Sequence, residues 1–368
     1  MNILILSCGT GGGHNSAAAA VEEEARRQGH SVTLMNPLEL CAEKLARRVD
    51  SAYISIAQAS PRGFGAIYAI GNAYRRLPWR SPVYFANGRE SEALGKYLEE
   101  HPTDVVVMTH LYPAEMLTYL KNHGVKVPKT IFVATDYTCI PFTEECDLDA
   151  YVTPSPMLTG EFVARGIPEE KIYPLGIPVR SAFRSSQSKE EAKAALGLEA
   201  DKRYLLVSGG SIGAGSLEKA IGLLAAQTQG TDFRLIVICG SNASVRRHLD
   251  GRFGQQVQLL GSTPRIAEYM RACDLYVQPS RYEGKAVTVR EAQLLGKPVV
   301  ITNYATSGSQ LENGTDGLIV PMDNAGCAAG IAALLRDPVR MQQLSENCAK
   351  RDYTNSAEIE KIYALMED

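Results

Sequence analysis

The chain has 368 residues, 45% apolar and 21% charged, with 32 Gly and 18 Pro; this is the balance of a well-cored globular protein and excludes a disordered or fibrous chain. A formal charge of -3 provides no global basic field for gathering polyanions, which argues against a dedicated nucleic-acid binder. The eight cysteines are scattered without a C-x-x-C pair, so they read as free thiols and offer neither a zinc ribbon nor a disulfide framework. Met1 to Leu6 runs straight into a glycine loop without a basic leader, and no stretch approaches the ~20 apolar residues that cross a bilayer. The expectation is a cytoplasmic protein, neither secreted nor membrane-spanning.

Taken in chain order, Ile3 to Leu6, Val32 to Met35, Asp104 to Met108, Thr130 to Ala134 and Ala150 to Thr153 read as buried strands, each followed by a helical or loop pattern. After a polar stretch at Ser185 to Glu191 a second series begins: Tyr204 to Val207, Arg234 to Cys239, Val257 to Leu260, Leu275 to Gln278, Pro298 to Thr302 and Gly317 to Val320. Apolar runs alternating with crossover helices predict an α/β fold of two doubly wound parallel-sheet domains, residues 1–182 and 183–353. Thr354 to Met366 reads as a last helix. Ligands of such sheets bind at the carboxyl ends of the strands, so the glycine loops at Gly9 to Gly13 and Gly209 to Gly215 are expected to open onto an interdomain cleft.

Residues 41–90 depart from this rhythm. They carry eight Lys or Arg against three acids, a local +5, so the remainder of the chain carries -8. The same segment holds Tyr53, Phe64, Tyr68, Tyr74, the sole Trp (Trp79), Tyr84 and Phe85. Cations interleaved with interfacial aromatics suit an anionic membrane surface; a helical insertion with a solvated basic face explains the pattern equally well.

The first loop, Gly11-Gly12-Gly13-His14, opens a strong helix pattern and presents close backbone and free N–H groups to a ligand. It departs from a dinucleotide fingerprint, since His14 stands at the third glycine and Asn36 replaces the ribose-binding acid. His14 is placed to act as a base or to contact a polar ligand group. In the second half, Gly209, Gly210 and Ser211 lead from a strand into a glycine turn suited to a pyrophosphate. Farther on, Glu283, Gly284, Lys285, Ala286, Val287, Thr288 and Glu291 form a turn running into a helix, with two glutamates eight positions apart. Backbone amides and the Lys285 ammonium suit phosphates, and carboxylates suit paired sugar hydroxyls. Asp147-Leu148-Asp149 has the form of a metal-binding D-x-D motif, but it leads directly into a strand, and no metal is expected.

The His14 loop, Ala134-Thr135-Asp136-Tyr137 and Val207-Ser208-Gly209-Gly210-Ser211 resemble the monogalactosyldiacylglycerol synthases and processive diacylglycerol glucosyltransferases over roughly residues 1–275. The segment from Pro279 through Glu291, then Gly296 to Val300 and Asn313 to Pro321, resembles the retaining glycosyltransferases with a Glu-x7-Glu signature, capsular-polysaccharide enzymes among them. The chain thus reads as a mosaic, natural or engineered, with a seam near Tyr276. Both resemblances imply the GT-B fold of two facing Rossmann-like domains, with a nucleotide sugar in the C-terminal domain and, for the first family, a lipid acceptor against the N-terminal one. They imply that residues 354–368 return to the first domain, that His14 and Asp136 border the reaction centre, and that Glu283 and Glu291 contact donor sugar and ribose.

The expected function is transfer of a hexosyl group from a UDP-sugar to a lipid, diacylglycerol, at the cytoplasmic membrane face, with no cofactor. A polysaccharide or oligosaccharide transferase, a UDP-sugar 2-epimerase, and a non-catalytic UDP-sugar binder are the alternatives at this level. Stereochemistry and oligomeric state stay open.

Overall fold

The structure, a computed structural model, describes residues 1–9, 12–41, 71, 73–75, 79–209, 217–280, 287–304, 307–350 and 356–367. They divide into two compact units. The first holds the described residues as far as Arg180 together with the helix Ser356–Glu367, and the second runs from Ser181 to Lys350.

In the first unit, β1 (Asn2–Leu6), β2 (Ser31–Met35), β3 (Val105–Met108), β4 (Lys129–Val133), β5 (Ala150–Val152) and β6 (Ile172–Tyr173) form one parallel sheet in the order β2-β1-β3-β4-β5-β6. In the second, β7 (Arg203–Ser208), β8 (Phe233–Ile238), β9 (Val257–Leu260), β10 (Leu275–Gln278), β11 (Val299–Thr302) and β12 (Gly317–Val320) pair in parallel in the order β12-β11-β10-β7-β8-β9. Strand order therefore reverses between β1 and β3 in one sheet and between β7 and β10 in the other. Loops leaving two neighbouring strands diverge at such a point and leave a crevice. The two-residue β6 was absent from the sequence reading, being too short to display a hydrophobic pattern.

Each strand reads as a continuous apolar run because both sheet faces are covered. Successive side chains point to opposite faces: Leu4, Leu6, Val106 and Met108 pack with Leu94, Met116 and Leu117, whereas Ile3, Ile5, Val105 and Val107 pack with Ala18, Val21 and Ala25. The second of these layers also takes Ile362, Tyr363 and Met366 from the last helix, and the Tyr363 hydroxyl donates to the Val21 carbonyl. The C-terminal segment is thus part of the first unit's core.

On the other layer, the helices Pro82–Glu100 and Leu111–Asn122 approach closely: a β-carbon at Gly88 would stand 2.2 Å from the Tyr119 ring. Ser81 caps the first of them, its hydroxyl accepting the Tyr84 N–H at 3.0 Å, with Pro82 in the first turn. Between the two helices lies a carboxyl group with no exposure, Glu115. Its Oε2 accepts from the Asn87 amide, while Oε1 has no hydrogen-bond partner among the described residues.

Burial raises the Glu115 pKa to about 8; the Asn87 hydrogen bond opposes the rise, Glu145 and Glu144 add to it, and Arg80 opposes it. The native carboxyl keeps its proton where the unfolded one, near 4.5, has lost it. The resulting stabilisation is complete below the unfolded value and disappears as the pH rises through about 8. Its steepest slope is about 1.4 kcal/mol per pH unit. Urea denaturation at a series of pH values is expected to show this decline in the parent protein and a flatter profile in Glu115→Gln.

Candidate active site

The first crevice is built from the ends of β1, β3 and β4. His14 stands in the first turn of the helix Gly12–Arg27, directly after β1. Its Nδ1 lies 2.6 Å from the Thr109 carbonyl beyond β3 and 2.7 Å from the Thr135 hydroxyl beyond β4. A carbonyl only accepts, so Nδ1 carries the proton and Nε2 of the neutral ring keeps its lone pair. Thr109 is held in turn: its hydroxyl donates to Ser7 Oγ at 3.0 Å, and Ser7 donates to Asn15 Oδ1 at 2.7 Å. Ser7, Thr109 and Thr135 are all buried, which limits water's access to their side of these bonds.

Asp136 follows Thr135 and, with His14, Thr109, Thr138 and Thr143, lines a recess of about one water molecule's size, closed on the apolar side by Leu111, Ile140 and Phe162. Burial raises the Asp136 pKa, and His14 nearby pulls it back down. On the other flank, the His110 ring meets His14 edge-on at 4.8 Å between centroids. His110 Nδ1 accepts the Tyr112 N–H at 3.2 Å and caps the helix Leu111–Asn122. Burial first, then His14, holds the His110 pKa well below the usual histidine range. The recess is therefore lined by an imidazole fixed through Nδ1 and by a carboxyl group that feels its charge, a pair whose residue types suit taking a proton from a hydroxyl.

In the second unit, β7 ends at buried Ser208 and Gly209, and β10 ends at Gln278. Gln278 Oε1 accepts from the Tyr276 hydroxyl at 3.0 Å and from the Thr288 hydroxyl at 2.7 Å. Those bonds tie the first turn of the helix Val287–Leu294 to the carboxyl end of β10. Val287 and Glu291 are buried on that helix, and Gln293 donates to the Gln310 carbonyl at 3.1 Å.

The structure thus brings His14 and Asp136 to one recess and sets Gly12 and Gly13 at the start of its helix. In the other unit it sets Gly209, Val287, Thr288 and Glu291 around the strand-order reversal. Gly11, Gly210, Ser211, Glu283, Gly284, Lys285 and Ala286 lie outside the described residues. Sequence reasoning missed Thr109, Thr135 and Gln278 as the groups that orient the site. The signal was available, since all three stand at or just beyond strand carboxyl ends.

Other motifs resolve into local structure. Asp147 pairs with Lys121 at 2.9 Å and Lys171 at 3.1 Å, and Asp149 accepts the Thr130 N–H and hydroxyl, both at 2.8 Å. Most of residues 41–90 lies outside the described set. Of the part described, Arg75 is buried against Glu144 and Tyr84 belongs to the core, whereas Trp79 and Phe85 are 61% and 59% exposed. Seven cysteines are buried and Cys41 partly so, all as free thiols.

Comparison with known proteins divides the chain in two. Residues 14–179 match the Monogalactosyldiacylglycerol (MGDG) synthase family, and residues 211–337 match Glycosyl transferases group 1. A processive diacylglycerol beta-glucosyltransferase of Bacillus pumilus (strain SAFR-032) is 23% identical over 288 residues, 76% of this chain and 72% of the relative. A probable chloroplastic monogalactosyldiacylglycerol synthase 2 of Oryza sativa subsp. indica is 24% identical over 281 residues, 73% of this chain but only 56% of the plant protein. The crystal structure of Anabaena Alr3699/HepE in complex with UDP superposes with a TM-score of 0.63 at 15% identity, covering 100% of both chains, which establishes likeness of fold.

The Thr109 carbonyl dictates the His14 tautomer. In protein carrying 15N-labelled histidine, at a pH where the ring is neutral, His14 is expected to show a protonated Nδ1 and an unprotonated Nε2. The opposite pattern would remove the free nitrogen from the recess.

Proposed function

Because the chain is a glycosyltransferase built on the GT-B fold, we propose that it transfers a hexosyl group from a UDP-sugar to a hydroxyl of diacylglycerol at a membrane surface. The observation that carries this reading is the His14 recess. It lies in the unit that matches the MGDG synthase family, and its basic nitrogen stands beside a carboxyl group at a strand-order reversal. The curated relatives named above act on diacylglycerol by their names, and the Anabaena structure holds UDP.

In this reading the acceptor hydroxyl enters the first unit's recess and yields its proton to His14 Nε2, with Asp136 compensating the charge that appears on the imidazole. The oxygen forms a bond to the anomeric carbon as the bond from that carbon to the UDP phosphate oxygen breaks, and UDP leaves with the electron pair. The second unit receives the donor: Gly209, Gly210 and Ser211 with Gly284, Lys285, Ala286, Val287 and Thr288 are assigned to the diphosphate, Glu283 to the donor sugar and Glu291 to the ribose. Backbone amides and an ammonium aimed at developing phosphate charge are the means by which such a site lowers the barrier.

A lipid acceptor requires the protein to meet a membrane. No helix among the described residues is long and apolar enough to cross one. The excess of cations in residues 41–90 and the exposed Trp79 and Phe85 suit peripheral attachment to an anionic surface.

UDP release measured over a panel of nucleotide sugars, with diacylglycerol present, tests the proposal. His14→Ala is expected to lower turnover by roughly 10²–10⁴-fold while donor affinity stays constant; full turnover would remove His14 from the chemistry. Glu291→Ala is expected to weaken UDP binding, and unchanged affinity would sink the donor-site assignment. Sedimentation with vesicles is expected to capture the protein on anionic but not on neutral lipid; no binding to either leaves residues 41–90 as an ordinary insertion.

A further inference from the structure

One wall of the recess contains a polar atom with nothing to bond. Thr143 is 1% exposed, lines the recess, and its hydroxyl has no hydrogen-bond partner among the described residues. A buried hydroxyl left in that state costs stability unless a ligand or water completes it. The segment that carries it, residues 138–145, is clamped from several sides. Glu161 Oε1 accepts the Thr138 hydroxyl at 2.7 Å and the Cys139 N–H at 3.0 Å. Arg75, its side chain 3% exposed, makes a two-pronged ion pair with Glu144 and donates to the Cys139 carbonyl at 3.2 Å. The Ser81 N–H and hydroxyl donate to the Glu145 carboxylate at 2.7 and 2.9 Å.

The clamp works against a backbone preference. Phe142, the residue before Thr143, sits at φ 78, in the left-handed region that bulky side chains avoid. Its ring is met edge-on by Tyr74 at 6.1 Å, and Gly71 lies so near that a β-carbon there would come within 2.9 Å of Pro141. The outer face of this loop is therefore met by Gly71, Tyr74, Arg75 and Ser81, and its inner face, through Thr138, Ile140 and Thr143, by the recess.

We infer that the Thr143 hydroxyl is a hydrogen-bonding contact for the hydroxyl-bearing acceptor, and that Arg75 is the positioning residue that holds it in place. The inference rests on the acceptor-side reading of the recess and adds two residues to it. A free acceptor hydroxyl or glycerol ester oxygen supplies the missing partner, because a threonine hydroxyl both donates and accepts. Arg75 is therefore assigned to the protein interior, not to the membrane surface that its place in a basic segment suggests.

The test compares Thr143→Val, Thr143→Ser and Arg75→Gln, using monomeric 1,2-dioctanoylglycerol as the acceptor probe. Thr143→Val keeps the shape and removes the orphaned hydroxyl, so its Tm is expected to equal or exceed that of the parent. Its KM for the acceptor is expected to rise roughly tenfold, with donor KM unchanged, and Thr143→Ser to restore the acceptor KM. Arg75→Gln is expected to raise the acceptor KM in the same way and to speed amide exchange across residues 138–145; Arg75→Lys falls between. A Thr143→Val protein with a lowered Tm and an unchanged acceptor KM overturns the inference, since the hydroxyl then serves the fold. An Arg75→Gln protein with an unchanged acceptor KM overturns the positioning role. If the parent itself transfers nothing to diacylglycerol, the lipid reading fails, while the sign of the Thr143→Val Tm change still decides whether the hydroxyl lacks a structural partner.

Discussion

Parallel strand pairing governs this molecule. Strands that run the same way within a sheet all finish on the same edge, and the connections that return the chain lie on the sheet faces. Both faces are thereby buried and the carboxyl edge is left to the loops. In the first unit that edge gathers Ser7 after β1, Thr109 and His110 after β3 and Thr135 and Asp136 after β4, residues separated by as much as 129 positions in the chain. The reversal of strand order between β1 and β3 opens the space in which His14 sits. The second unit repeats the construction at β7 and β10 with Ser208, Gly209 and Gln278.

What distinguishes the two edges is the polar chemistry laid along them. The first is a chain of hydrogen bonds, from the Thr109 hydroxyl to Ser7 and from Ser7 to the Asn15 amide oxygen, beside the Thr109 carbonyl that meets the His14 imidazole. The Thr109–Ser7 bond is buried and the other two are part-buried, and each orients its neighbour. The second uses one amide oxygen, Gln278 Oε1, as a common acceptor for two hydroxyls from a strand and a helix. The proposed function asks for a proton-accepting pocket and a nucleotide-sugar cradle, and one scaffold can carry such different tasks because the loops, not the sheets, hold the candidate site residues.

The core of the fold was legible in the residues. Val105 to Met108 and Leu275 to Gln278 are short apolar runs bounded by polar punctuation, and a strand buried on both faces leaves that trace whatever its neighbours are. β6 left no such trace, because two residues cannot establish a period. The glycine loop marked His14 and the family resemblance marked Asp136 as candidates, and the fold brings both to one recess, but the groups that hold His14 left no mark in the sequence. Thr109 acts on His14 through a backbone carbonyl, which has no residue identity to read. Arg75 reads as a surface cation because its sequence neighbours are cationic; only the fold shows that Glu144, distant in the chain, buries and neutralises it.

Composition and periodicity by themselves determined the class of this protein: two parallel α/β units, free thiols, no basic field, and glycine loops following a strand in each half. These properties are written in local order, as apolar runs and turn residues whose meaning does not depend on distant partners. The tertiary structure alone decided which nitrogen of His14 contacts the Thr109 carbonyl, that Glu115 is buried with one oxygen unpaired among the described residues, and that Thr143 lines the recess with its hydroxyl likewise unpaired. Each of these depends on groups brought together from separate strands and helices. Burial and hydrogen-bond satisfaction are properties of that assembly, and no single segment of the chain contains them.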